Sequence, residues 1–177
     1  GGRGGQIKRG IEAASGDVVA ILHADAVLPG ENVGRMVALL NQHPGVIGGS
    51  VGGRFDSPEP RFRILALAND FRAAVLKISF GDQVQFFRRR PVVDRDLFPA
   101  IPLMEDVEFS IRLHRLGSQL HLFGNARVST RRWEKIGFRN APWVMMTVFT
   151  YLIRRLAAEP DTATLYDQYY RPGKSAP

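Results

Sequence analysis

The chain has 177 residues, of which 45% are hydrophobic and 23% charged, a composition typical of one globular domain with a sizeable core. It contains no cysteine, which excludes disulfides, cysteine-ligated metal sites and thiol nucleophiles. The net charge of +7 favours anionic partners such as phosphates, nucleic acid or an acidic membrane surface.

Helical and strand patterns alternate along the chain. Helices are predicted from apolar side chains at helical spacing and from glycine or proline stops, and strands from short runs rich in β-branched residues. The predicted helices are residues 7–14, 31–42, 61–77, 105–116 and 138–157, and the predicted strands are residues 18–22, 46–54, 84–87, 119–123 and 127–130. This alternation predicts an α/β fold with a mainly parallel sheet flanked by helices.

The predicted strand 46–54 contains four glycines. Because glycine carries no side chain, a strand with this composition allows the backbone of a neighbouring strand or a ligand to approach closely.

The apolar strand 18–22 ends at His23 and Asp25. Residues two apart on an extended segment point to the same side, so these two side chains can face one site. A carboxylate there can bind Mg²⁺ or Mn²⁺, and the metal ion can in turn hold a diphosphate. The alternative is a surface turn in which Asp25 caps the following helix.

A second candidate site is the acidic start of the helix 105–116. Glu105 and Asp106 follow a proline-containing loop, and one of the two carboxylates can act as a general base at the mouth of a site. The alternative is that both are ordinary acids of a first helical turn, which the helix dipole favours.

Two further motifs carry polar side chains suited to sugar and phosphate. Gly81, Asp82 and Gln83 precede the strand 84–87, and they form either an acceptor-sugar contact or only a tight turn. The other motif combines two cations that suit phosphate with an aromatic ring that can stack on a sugar or merely pack on the surface; its residues are Arg131, Arg132 and Trp133.

Taken in order, these motifs resemble the family-2 glycosyltransferases with a GT-A fold. The resemblance extends over roughly residues 2–135 and is closest to a bacterial subgroup that carries Leu-His-Ala-Asp where most relatives carry a two-aspartate motif. The segments that carry it are residues 10–11, 16–25, 81–83, 105–106 and 131–133.

The resemblance implies an inverting transfer of a sugar from a nucleotide-diphosphate donor to an acceptor hydroxyl. Asp25 matches the metal-binding aspartate, Asp106 matches the catalytic base, and Glu105 shapes the site beside it. With His23 as second ligand, the expected cofactor is Mn²⁺ or Mg²⁺, and a neutral imidazole favours Mn²⁺. The residues expected near the donor are Arg3, Lys8, Arg131, Arg132 and Trp133, and those near the acceptor are Gly81, Asp82 and Gln83.

The first strands of that family, which carry its base- and ribose-binding residues, have no counterpart in this sequence. We therefore expect an N-terminally incomplete GT-A-like domain in residues 1–137, an apolar helical segment in 138–170 and a flexible tail in 171–177. The alternative function is a truncated or degenerate, non-catalytic module that binds phosphate ligands or a protein partner. Nucleic-acid binding ranks last, because the sequence shows no nucleic-acid motif.

Residues 141–153 form an apolar run flanked by arginines. It is shorter than the roughly 20 residues that span a bilayer. Acceptors in the family that this sequence resembles are often lipid-linked, so we expect residues 139–157 to contact a membrane surface. A core helix or a homodimer contact fits the same pattern. The location we expect is therefore cytoplasmic, at the inner face of the membrane.

Overall fold

The computed structural model describes residues 2–137, 141–157 and 162–170. Within these residues five strands form one sheet: β1 (Val18–Ile21), β2 (Ala26–Val27), β3 (Val46–Phe55), β4 (Val84–Arg88) and β5 (Ser118–Val128). The α-helices are α1 (Arg3–Ala13), α2 (Gly30–Gln42), α3 (Pro60–Phe71), α4 (Arg89–Val93), α5 (Glu105–Leu116), α6 (Arg131–Ile136), α7 (Ala141–Ala157) and α8 (Thr162–Tyr170). A π-helical turn, Arg72–Leu76, continues α3.

The strand order is β1-β4-β3-β5-β2. Three of the five strands, β1, β3 and β5, run in one direction, but β4 separates β1 from β3, so only β3 and β5 pair in parallel. The α/β class and the mixed, GT-A-like sheet are confirmed. The pairing itself is mostly antiparallel and not mainly parallel, because residues 56–83 leave and re-enter the sheet at the same end, where Val84 pairs with Val51.

Three apolar clusters pack the helices against the sheet and against one another. Phe86 points from β4 towards α2, and its neighbour Phe87 points to the opposite face, where it packs with residues of α1, α4 and α5. The third cluster joins the start of α5 to α7 and α8 through Leu103, Met104, Val107, Val148, Tyr151 and Leu165. α5 therefore belongs to both the sheet layer and the C-terminal helices.

The glycines of β3 allow close packing of neighbouring strands, as the sequence suggested. A Cβ atom on Gly49 would lie 1.8 Å from the carbonyl oxygen of Leu120 on β5, and one on Gly48 would lie 2.4 Å from that of Phe86 on β4. Any other residue at these two positions would push the strands apart.

Several element boundaries differ from the sequence-based prediction. The two strands expected at 119–123 and 127–130 are one continuous strand, β5, and the helix expected at 61–77 changes from α to π geometry at Arg72. The short helices α4 and α6 were not predicted, whereas α8 lies within the segment 138–170 that was expected to be helical. Residues 138–140 of the expected C-terminal helix and the expected tail at 171–177 lie outside the described residues.

A buried hydrogen-bonded chain attaches α3 to the sheet. The Ser50 hydroxyl lies 2.9 Å from Nδ1 of His121, and Nε2 of that ring lies 3.1 Å from the Asp70 carboxylate, which also accepts a 2.9 Å bond from Arg54. Although burial favours protonation, these bonds outweigh it and lower the pKa of Asp70. The opposite face of α3 is left facing solvent.

A second buried carboxylate attaches α7 to α5. Glu108 accepts hydrogen bonds from Arg112 on its own helix (2.9 Å), from the Tyr151 hydroxyl (2.8 Å) and from Arg155. Burial opposes ionisation of Glu108, but the three donors outweigh it and lower its pKa to about 2.

Among the described residues, no helix is both long enough and apolar enough to cross a membrane.

We predict that Glu108→Gln lowers the free energy of unfolding by about 3 kcal/mol at neutral pH, because two arginines lose their buried counter-charge. The folded pKa of Glu108 lies below its unfolded value. Its stabilisation is therefore full above about pH 5 and is lost as the pH falls towards 2. Urea unfolding at several pH values should show that the difference in the free energy of unfolding between wild type and variant decreases as the pH falls from about 5 towards 2.

The control is Glu12→Gln, which removes an exposed carboxylate from α1. It should change the urea midpoint by little at any pH. Equal midpoints for Glu108→Gln and wild type at neutral pH would contradict a stabilising role for this carboxylate.

Candidate functional site

A cavity opens where the carboxyl ends of β1, β3 and β5 meet, the usual position of ligand sites in open α/β sheets. The structure brings seven of the twelve predicted site residues to its walls. These are Arg3, His23, Asp25, Gly81, Asp82, Asp106 and Trp133. Their sequence positions span 131 residues, so the fold assembles the cavity from distant segments.

The turn after β1 places His23 and Asp25. The amide of Ala26 donates to the carbonyl of His23 at 3.0 Å, and the amide of Ser129, just after β5, donates to the carbonyl of Asp25 at 3.1 Å. Both side chains reach the cavity wall. Helix α2 begins at Gly30 with Pro29 in the cap position, so Asp25 does not cap it.

The ring of His23 packs against Gly81. A Cβ atom on Gly81 would lie 2.6 Å from Nε2 of His23, so only glycine permits this contact without displacement of the ring. Burial, followed by the positive charge of Arg3, lowers the pKa of His23. The imidazole is therefore neutral at neutral pH.

Asp106 lies at the start of α5 with both carboxylate oxygens held. Oδ1 accepts the Val107 amide at 2.8 Å, and Oδ2 accepts the Gly81 amide at 2.7 Å. Met104, immediately before the helix, has a left-handed backbone at φ 63°, an unusual conformation for a residue with a side chain. This bend turns the chain so that the first turn of α5 faces the cavity.

Glu105 lies behind the cavity wall. It is fully buried and forms an ion pair with Arg3 of α1, whose Nη2 also lies 3.8 Å from Asp106. Burial, followed by the charge of Asp106, raises the pKa of Glu105, while Arg3 opposes the rise. Glu105 thus holds Arg3 at the edge of the cavity and does not line it.

α1 reaches this position because of a glycine. A Cβ atom on Gly4 would lie 2.4 Å from the carbonyl oxygen of Ile101. The close approach of α1 to the loop before α5 brings Arg3 within reach of Glu105.

Asp82 and Gln83 have different surroundings. Asp82 lines the cavity and accepts a 3.1 Å hydrogen bond from Asn69. Gln83 is buried; its amide oxygen accepts from Arg72 at 2.9 Å and its amide nitrogen donates to the carbonyl of Asn69 at 3.1 Å. Gln83 therefore does not line the cavity, and its side chain bonds hold the loop before β4.

Two of the predicted donor-side cations, Lys8 and Arg131, do not line the cavity. Lys8 forms a 2.6 Å ion pair with Asp96, because its position on α1 points it towards the loop after α4. Arg131 is exposed outside the cavity, and the side chain of Arg132 lies outside the described part of the chain. Of the two side chains of that motif that the structure describes, Arg131 and Trp133, the second lines the wall.

The sequence-based prediction missed the apolar wall of the cavity. α7 and α8 contribute part of it, through Val144, Val148, Tyr169 and Tyr170, and the rest comes from strand ends and loops. The rings of Tyr169 and Trp143 stack with centroids 5.0 Å apart, which ties the two helices together. The tyrosine pair near the end of the sequence was the available signal, but nothing local relates it to Asp106.

In the described residues, no group of three or more histidine or acidic side chains is arranged to hold a metal ion. His23 and Asp25 are two donors that face the same cavity, one a neutral imidazole and one a carboxylate. Mg²⁺ that also binds substrate phosphates needs only one or two protein carboxylates, which Asp25 can supply, and the imidazole of His23 suits a transition ion such as Mn²⁺.

The profile of the family described as Glycosyl transferase family 2 matches residues 1–97, which is more than half of the chain. The match includes His23, Asp25 and the loop at Gly81, and it ends before Asp106. Comparison with curated proteins gave no significant match. On the extent of the profile match, the chain belongs to glycosyl transferase family 2.

Proposed function

We propose that the protein is an inverting glycosyltransferase that moves a sugar from a nucleotide-diphosphate donor to an acceptor hydroxyl. Membership of the family supports glycosyl transfer, and members of this family generally use nucleotide-sugar donors. The expected place in a bacterial subgroup with the Leu-His-Ala-Asp motif stays a prediction.

The observation that carries the proposal is the position of Asp106. Its carboxylate lines the cavity, is oriented by two backbone amides, and shares the cavity with His23 and Asp25. A general base requires this combination of a fixed carboxylate and access to substrate.

In the proposed step Asp106 removes the proton of the acceptor hydroxyl. The acceptor oxygen then bonds to the anomeric carbon from the side opposite the diphosphate, which inverts that carbon. The bond between the anomeric carbon and the diphosphate oxygen breaks, and its electron pair leaves with the nucleoside diphosphate. The proton remains on Asp106 until it is lost to solvent.

Charge at the cavity supports a requirement for a divalent cation. Among the described residues that line the cavity, Asp25, Asp82 and Asp106 contribute three carboxylates and Arg3 contributes one guanidinium. A diphosphate would meet net repulsion there unless a cation came with it. We assign Asp25 and His23 as the residues that hold Mn²⁺ or Mg²⁺, which would neutralise charge on the leaving diphosphate.

The remaining cavity residues have supporting roles. Arg3 lies next to Asp106, and its positive charge would attract the phosphates of the donor. Trp133 offers a ring on which a sugar can stack. Contact of Arg131 and Arg132 with the diphosphate stays a prediction. Lys8 receives no role at the donor, since Asp96 already pairs with it.

The acceptor in this proposal is lipid-linked. The apolar wall from α7 and α8 would face the part of the acceptor next to its reacting hydroxyl. The outer side of α7 is also apolar, with Met146, Phe149 and Ile153 each more than half exposed. We propose that this side contacts the membrane surface; a homodimer through it stays a prediction.

We predict that Asp106→Asn lowers the transfer rate by roughly 10²- to 10⁴-fold, because the amide cannot accept the proton. The assay measures release of nucleoside diphosphate from UDP-, GDP- and dTDP-sugars with Mn²⁺. Binding of the matching nucleoside diphosphate, measured by calorimetry, should change little, since Asp106 acts on the acceptor.

Asp94→Asn is the matched control, since Asp94 is exposed and does not line the cavity, and this variant should retain full activity. Unchanged transfer by Asp106→Asn would rule out this base. If the wild-type protein binds nucleoside diphosphates but releases none from any donor, the non-catalytic, phosphate-binding module becomes the better description.

We predict that Asp25→Asn weakens Mn²⁺ binding by roughly tenfold or more, because an amide oxygen is a poorer ligand than a carboxylate. Electron paramagnetic resonance of Mn²⁺ in the presence of UDP or GDP measures this without any turnover. Asp17→Asn, an exposed aspartate before β1, is the control. Equal Mn²⁺ affinity in wild type and Asp25→Asn would remove Asp25 from the metal site.

A further inference from the structure

The outer face of α3 and of the π-helical turn that continues it is apolar and exposed. Ile64, Leu67, Phe71 and Val75 follow one another at helical spacing and are 67%, 65%, 66% and 56% exposed, and Leu76 beside them is 60% exposed. We call these five residues the α3 stripe. They expose on the order of 500 Å², at the upper end of what the largest apolar patch of a monomer covers.

Four of the six charged residues between positions 59 and 77 are basic. Arg63 is exposed near its first end, and Lys77 follows its last residue. Between residues 60 and 77 the sequence contains one acid, Asp70, which is buried on the opposite face and bonded to Arg54 and His121. Glu59, just before the helix, is paired with Arg61.

This pattern distinguishes between two occupants of the stripe. In a two-fold pair of identical chains, an antiparallel arrangement of the helices places Arg63 beside Lys77 of the second copy, and a parallel one places each cation beside its equivalent. Both arrangements bring like charges together, in a chain whose net charge is already +7. An anionic lipid surface supplies both the apolar layer and the opposite charge.

We propose that the α3 stripe lies flat in the interface of an anionic membrane, with Arg63 and Lys77 at the level of the headgroups. The assignment goes beyond the proposed function, because it concerns a helix outside the cavity and needs no catalysis. Phe80, three residues after Lys77, lines the cavity. If the proposed function holds, the contact also brings the cavity close to acceptors carried in the bilayer.

The test is sedimentation of the protein with vesicles of phosphatidylcholine that contain roughly one third phosphatidylglycerol. Leu67→Ser/Phe71→Ser should lower the partition coefficient roughly tenfold, because two large apolar side chains no longer enter the interface. Arg63→Gln/Lys77→Gln should lower it by a similar factor on these vesicles, and binding to pure phosphatidylcholine should be much weaker for every form.

The matched control is Val33→Ser/Val37→Ser, which removes two exposed apolar residues, 47% and 41% exposed, from α2. It should bind like wild type, and all variants should keep the wild-type thermal unfolding curve. Undiminished vesicle binding by Leu67→Ser/Phe71→Ser would overturn the proposal. If Phe149→Ser/Ile153→Ser on α7 then abolishes binding, the membrane contact is made by α7 and not by the α3 stripe. The wild-type protein could instead fail to bind vesicles but self-associate without lipid. If Leu67→Ser/Phe71→Ser disrupts that self-association, the α3 stripe is a contact with a second copy of the chain.

Discussion

The hydrogen bond from the Gly81 amide to the Asp106 carboxylate joins two segments that are far apart in the sequence, and the cavity is arranged around it. The two segments are joined at further points behind this bond. Gln85 donates to the carbonyl of Asp106 at 3.1 Å, and the amide of Ser79 donates to the Ser110 hydroxyl at 3.1 Å. The loop before β4 and the first turns of α5 therefore form one rigid support, against which His23 packs through Gly81.

α5 transmits this arrangement to the rest of the molecule. Phe109 and Leu113 pack beneath the sheet, while Val107 packs with α7 and α8. Glu108 binds α7 through hydrogen bonds from Tyr151 and Arg155. The C-terminal helices lie beyond the part of the chain that matches the family profile, yet they complete the cavity. Most of the polar residues that line the cavity thus come from the matched region, whereas α7 and α8 add apolar residues from outside it.

Local patterns predicted some elements well and others poorly, for identifiable reasons. The helix 105–116 was predicted to the residue, because acids begin it and Gly117 ends it. Residues 124–126, by contrast, looked like a break between two strands. Gly124 there fits tightly against Val51, and Asn125 hydrogen-bonds Asn32 and Glu31 of α2. Contacts with distant residues keep β5 continuous where the local sequence favours a turn.

By itself the sequence determined the alternation of strands and helices and the residue types that carry chemistry at the ends of strands. Those depend on side-chain periodicity and on glycine and proline stops, which are local. Only the tertiary structure decided which polar residues meet. Gln83 is bonded to the buried Arg72 and Lys8 to Asp96, whereas Asp25, Asp106 and Arg3 converge on one cavity. The physical reason is that a polar side chain takes the partner that packing brings within hydrogen-bonding distance, and packing is set by residues far away along the chain.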